Sequence, residues 1–152
     1  PFQQWQQKWS LKVTKASLPR TTSPVTKPSG RLKAIERHVG LHERKNRATI
    51  RKIIGVDPRR TPWCGYAVAY ALKANGERPV KGYPRAFNWK RYGKAVSLRN
   101  APAGAIVVYR HSHVAILKSR SGPNHHIACG GNMSNRFKCS RYRNSSIVAV
   151  RL

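Results

Sequence analysis

Carboxylates are nearly missing from this chain. Of its 152 residues only Glu36, Glu43, Asp57 and Glu77 are acidic, and the stretch from Arg78 to Leu152 holds none while carrying fifteen Lys and Arg. A nucleophile and base in that half have no later Asp or Glu to orient them. A glycosidase working through paired carboxylates would have to draw both from the four early positions.

Long apolar runs are missing as well. No segment approaches the roughly 18 apolar residues of a membrane span, and the opening "PFQQWQQKWSLK" lacks the apolar core of a secretory signal. The expectation is a soluble chain not exported by a visible signal. Three cysteines, Cys64, Cys129 and Cys139, cannot all pair and are too few for a framework of bridges. Cys129 and Cys139 read as ordinary partly buried thiols in preference to a bridge. There is no internal repeat.

Positive charge is in excess: 31 Lys and Arg against 4 acids give a net +27 and a pI near 11.5. That exceeds what solubility requires and implies a polyanionic partner, either nucleic acid or an anionic cell envelope. The 13 Trp, Tyr and Phe residues and a hydrophobic fraction of 39% are enough for one core with some tail left over.

The tail is expected at the start. Phe2, Trp5, Trp9 and Val13 fall on one face of a short helix, and Ser17 to Gly30 has three prolines and six Ser or Thr, the composition of a linker. Residues 1–30 therefore read as a basic aromatic arm, and residues 31–152 as the folded domain. In that domain Leu32, Ile35 and Val39 suggest a helix interrupted by Gly40, and Ile50, Ile53 and Ile54 a second one stopped by Gly55. A third starts within "TPWCGYAVAYAL", with Thr61 as N-cap, Pro62 in the first turn and Cys64 close behind. Four β-branched runs, from Ala105, His113, His125 and Ile147, read as antiparallel strands because their connections are short. Helices first and sheet last imply an α+β domain, the helices packed on a small antiparallel sheet.

The position of Cys64 invites chemistry. A helix N-terminus offers free N–H groups and partial positive charge that favour thiolate over thiol, and a cysteine there can fall from about 8.5 to roughly 3.5–7.5 in pKa. The thiol needs a base, and His113, opening a strand after the tight "RHSH" segment, is the candidate. Read singly, Cys64 is more often a buried structural cysteine than a nucleophile, and His113 more often a surface or capping histidine than a base.

Together, "TPWCGYAVAYALKANG", "AGAIVVYRHSHVAIL" and "IACGGNMS" resemble the three motif blocks of papain-like peptidoglycan hydrolases, the NlpC-type and CHAP-type cysteine peptidases and amidases. The similarity is to a phage and bacterial subgroup marked by Pro-Trp-Cys, Gly-Asp-Ile-Val, Gly-His-Val and Gly-Gly-Asn, and it spans about Arg31 to Leu152. It implies a papain-like fold, Cys64 as nucleophile, His113 as general base and Asn132 as the amide that orients the imidazole, with no cofactor and no metal. It also implies acyl transfer through a thioester in the cell-wall peptide, by an endopeptidase or an N-acetylmuramoyl-L-alanine amidase. Trp63 and Trp89, from the Pro-Trp-Cys block and the connector, are candidate substrate contacts.

Two residues depart from the subgroup: Ala105 stands where Asp is usual, and Ser112 where Gly usually precedes the histidine. His125 and His126 are alternatives to Asn132 as third residue. The implied setting is a phage lytic enzyme, endolysin or virion-borne. It would be monomeric, act on peptidoglycan in the periplasm or wall, and use residues 1–30 to dock on a virion protein or the envelope. Two other classes compete. One is a basic nucleic-acid- or virion-binding structural protein. The other is a zinc hydrolase built on His111-Ser112-His113 with His125, His126 and the downstream cysteines, which would need a carboxylate from the four early acids.

Overall fold

A computed structural model describes residues 26–152. The expected aromatic face of Phe2, Trp5, Trp9 and Val13 lies outside the described residues. Helix α1 (Ser29–Glu36) begins before the boundary expected at Arg31, so the last residues assigned to the arm belong to the domain. The carbonyl of Lys27 accepts hydrogen bonds from the Gly30 backbone and the Asn75 side chain.

Three helices precede a sheet, as expected for an α+β chain. α2 (Arg47–Ile54) ends on Gly55, whose φ of 86° supplies the left-handed cap anticipated there. α3 (Cys64–Ala74) is the central helix, with Gly65, Ala67, Val68, Ala71 and Leu72 buried. The strands are β1 (Ile106–Tyr109), β2 (His113–Arg120), β3 (His125–Met133), β4 (Arg136–Arg143) and β5 (Ile147–Arg151). They form one antiparallel sheet in the order β4-β3-β2-β1-β5.

β1 and the first five residues of β2 are buried on both faces, which is why Ile106–Tyr109 and residues 114–117 are continuous apolar runs instead of alternating ones. Ile106, Val108, Val114, Ile116 and Phe137 pack against the helices together with Ile35, Ile50, Val68 and Leu72. Val107, Tyr109, Ala115, Leu117 and Ala128 form a second cluster, covered by Val96, Leu98 and Ala101 from the connector. Small residues let the layers close: a Cβ on Gly131 would come within 2.5 Å of the Trp63 ring, and one on Gly65 within 2.1 Å of the Tyr83 carbonyl.

Some expectations are corrected. Val39 is outside α1 and 48% exposed, because the helix ends in the turn that leads to Gly40. The third helix starts at Cys64, two residues later than the Thr61 and Pro62 signals suggest. Trp63 is held outside it, with its indole packed edge-on to Phe137 and its Nε1–H donated to Glu43. Cys129 and Cys139 are not free thiols: they face each other in the β3–β4 register and are disulfide-bonded. One ion pair, its arginine buried and its glutamate partly so, ties the start of the domain to the rest. Arg31, 2% exposed, forks onto both oxygens of Glu77 at 2.8 Å and also donates to the Gly104 carbonyl.

Candidate active site

Cys64 is the first residue of α3 and is 7% exposed, yet it lines a cleft of 390 Å³. Pro62, Pro84, Ala86 and Phe87 form its apolar wall, and Arg85, Asn88 and Ser112 its polar edge. The thiol lies near the start of β2: the backbone N–H groups of Val114, Gly65 and Cys64 itself are close enough to favour the thiolate. His113, the candidate base, is the chain neighbour of Val114, but the two side chains take opposite faces of the strand: Val114 packs with the helices, while His113 pairs in register with Tyr109 of the other cluster, and no hydrogen bond joins its ring to the thiol.

The electrostatics differ from the thiolate picture. Burial pushes the Cys64 pKa up, and the three N–H groups only partly offset it. Burial, reinforced by nearby His111, pushes His113 down to about 4. Both shifts favour the neutral forms, a thiol at Cys64 and an imidazole at His113, at neutral pH, against the lowered thiol pKa expected from the helix end alone. The desolvation cost of charge at a nearly closed site outweighs the pull of the exposed N–H groups.

His113 is 8% exposed and its Nε2 is buried with no hydrogen-bond partner among the described residues. Neither Cys64 nor Asn132 therefore bonds this nitrogen. Asn132 lies in the irregular part of β3 with a φ of 57°, a left-handed conformation that Asn tolerates well. The ring of His113 is instead stacked among aromatics. Tyr109 lies 5.8 Å away at 24°, His111 5.7 Å away at 13°, and Tyr142 6.2 Å away at 39°.

The two alternative third residues are engaged elsewhere. His126 is fully buried, its Nδ1 2.8 Å from the Asn144 Oδ1 and its Nε2 2.6 Å from the Tyr109 hydroxyl. An amide oxygen only accepts, so Nδ1 carries the proton and Nε2 accepts from Tyr109. His125 pairs in register with Arg143 at the far end of β3. Trp63 and Trp89, expected as substrate contacts, are both fully buried, with indole N–H groups given to Glu43 and the Tyr83 carbonyl. Neither offers a ring to the cleft, and this corrects their assignment to core positions. The zinc reading gains no ligand set from His111 and His113: among the described residues the clustered ligand atoms belong to Glu36, Cys129 and Cys139, and both cysteines are in the disulfide.

Sequence reasoning missed the cleft wall, Arg85, Phe87 and Asn88, and the rings of Tyr109 and Tyr142. Tyr109 was within reach, since the three-residue turn Arg110-His111-Ser112 sets it directly opposite His113. Compared with known proteins, the chain matches no protein-family model and no curated protein.

Proposed function

We propose that this chain is a papain-like cysteine hydrolase of peptidoglycan, cutting an amide bond of the wall peptide in the manner of NlpC-type and CHAP-type enzymes. The observation that carries the reading is the meeting of Cys64, at the mouth of α3 and the wall of a cleft, with the β2 start that holds His113. As the thiol attacks the carbonyl carbon, its proton passes to His113 and a C–S bond forms. The N–H groups at the helix start stabilise the oxyanion. The amine leaves with the proton held by His113, and water, activated by the same imidazole, hydrolyses the thioester to acid and free thiol. A catalytic hydrogen bond that is long without substrate and tightens with it is ordinary for such sites. Asn132, in the irregular part of β3, is the proposed orienting residue. A phage lytic role at the cell wall follows from the same motif order.

Mass spectrometry of fragments released from purified peptidoglycan tests the reading. Wild-type protein is expected to release peptides with or without a chelator, and Cys64→Ala none. Release by Cys64→Ala, or no release at all, would overturn it. A nucleic-acid-binding role is the second reading, favoured by the net charge of +27. It predicts tight, salt-sensitive binding of single- or double-stranded DNA with no release of wall peptides.

A further inference from the structure

We propose that Arg85 recognises a carboxylate of the substrate next to the scissile amide, so that the cleft selects an acidic peptide. The proposal rests on the hydrolase reading for its substrate class. Its ground is the make-up of the cleft. Among the described residues that line it with Cys64, Arg85 is the one that is charged, and it is exposed; Asn88 and Ser112 are the remaining polar residues apart from the thiol.

All four carboxylates of the chain are engaged elsewhere. Glu36 pairs with Lys118, Asp57 with Arg47 and Glu77 with Arg31, while Glu43 accepts from the Trp63 indole. No internal counter-ion is left for Arg85, and none lies in the cleft to repel an incoming anion. The arginine is also well placed by its backbone. Its N–H donates to the Gly82 carbonyl at 3.1 Å, and Asn88 donates to the same carbonyl at 2.8 Å while accepting from Arg91. The segment that carries Arg85 is therefore knit to itself. A planar guanidinium on such a support suits bidentate pairing with a carboxylate. Stem peptides supply that group at a γ-linked glutamate and at their C-terminus. Phe87, 40% exposed in the same wall, offers an apolar surface to the peptide chain.

The test is equilibrium binding to the full chain carrying Cys64→Ala, with L-alanyl-γ-D-glutamyl-L-lysyl-D-alanine as probe and its doubly amidated form as comparison. The diacid is expected to bind about tenfold tighter at physiological ionic strength. Adding Arg85→Met should remove most of that preference. Adding Arg99→Met, which deletes the same charge from an exposed position outside the cleft, should keep it and so separates contact from long-range attraction. Equal effects of the two substitutions, or no preference in the parent, would overturn the assignment. Singly amidated peptides then say which carboxylate is bound. A preference that depends on Arg85 in a protein that cuts no wall leaves this assignment standing and defeats the hydrolase reading. Wall cleavage without the preference does the reverse.

Discussion

At the scale of single residues, the burial of His113 has two consequences. The folded protein holds its pKa near 4 against an ordinary 6.5, so on acidification the unfolded chain takes up a proton first. The stability contributed by the neutral ring is complete above pH 6.5 and drains away as pH falls toward 4. Over that window the loss amounts to about 3 kcal/mol at most. Buried His126, also lowered, acts in the same direction, with its Asn144 bond opposing. Urea unfolding at neutral and mildly acid pH is expected to show the loss, and His113→Gln to shrink the difference without abolishing it; an unchanged difference would mean the ring is not held neutral. For the proposed activity the base stays unprotonated to about pH 5, so wall hydrolysis should persist into mild acid. Ser112 gives a second residue-scale prediction. Its φ of 58° is the left-handed position that ends the β1–β2 turn, where a non-glycine residue costs about 1 kcal/mol. Ser112→Gly should therefore raise the urea midpoint by an amount equivalent to about 1 kcal/mol or somewhat less. No gain would show that the hydroxyl offsets the backbone cost. The departure seen in the sequence, Ser where the resembling subgroup has Gly, thus has a conformational meaning as well as a place in the cleft wall.

At the scale of elements, the disulfide staples β3 to β4 across a sequence separation of 10. In the chain-entropy account such a short loop contributes about 2–3 kcal/mol. Reduction is expected to lower stability by that amount, and hydrogen exchange to rise first in β3 and β4. Uniform exchange across the sheet would contradict a local staple. Because Gly131, two residues from Cys129, packs on Trp63 at the helix mouth, reductant should also depress the proposed activity, the reverse of its usual effect on a thiol enzyme. The hairpin is also where the sequence was least legible. β4 places basic residues at Arg136, Lys138, Arg141 and Arg143, and only Phe137 is fully buried. A charged edge strand has no β-branched run to reveal it, and without it the register that joins the two cysteines is invisible. By contrast β1, β2 and β5, made of Ile, Val and Ala, were plain, as was the stop of α2 at Gly55. The start of α3 was misplaced for a tertiary reason. Thr61 and Pro62 carry good local N-terminal signals, but packing of Trp63 on Phe137 and its bond to Glu43 hold that residue out of the helix. Cys64 and His113 stood out together because motif order survives without geometry; the neutral state of each and the cleft wall depend on burial, which no short motif records.

At the scale of the whole molecule, charge is the dominant property, and the fold does little to neutralise it. The ion pairs among the described residues are three, Arg31–Glu77, Arg47–Asp57 and Lys118–Glu36, against a net charge of +27. In Arg31–Glu77 the two charges cancel, so the pair adds no net charge to the outer field. A surface of nearly one sign attracts an anionic polymer from beyond contact distance, but the attraction is screened over about 8 Å at physiological salt. If six or more basic side chains meet the polymer, affinity should fall by roughly 300-fold or more between 50 and 200 mM salt. Sedimentation of the Cys64→Ala chain with purified wall checks this, and repeating it with wall stripped of its anionic polymers separates the contributions. Loss of binding on stripping, with cleavage of the stripped wall by the wild type retained, assigns the field to capture and the cleft to recognition. A salt-independent association would instead place the affinity in apolar contacts. DNA competes in the same assay by the same physics, so competition by itself distinguishes nothing. The rate of peptide release does, because a uniform positive field brings any polyanion to the surface, whereas the proposed hydrolase would cut only a substrate that reaches Cys64.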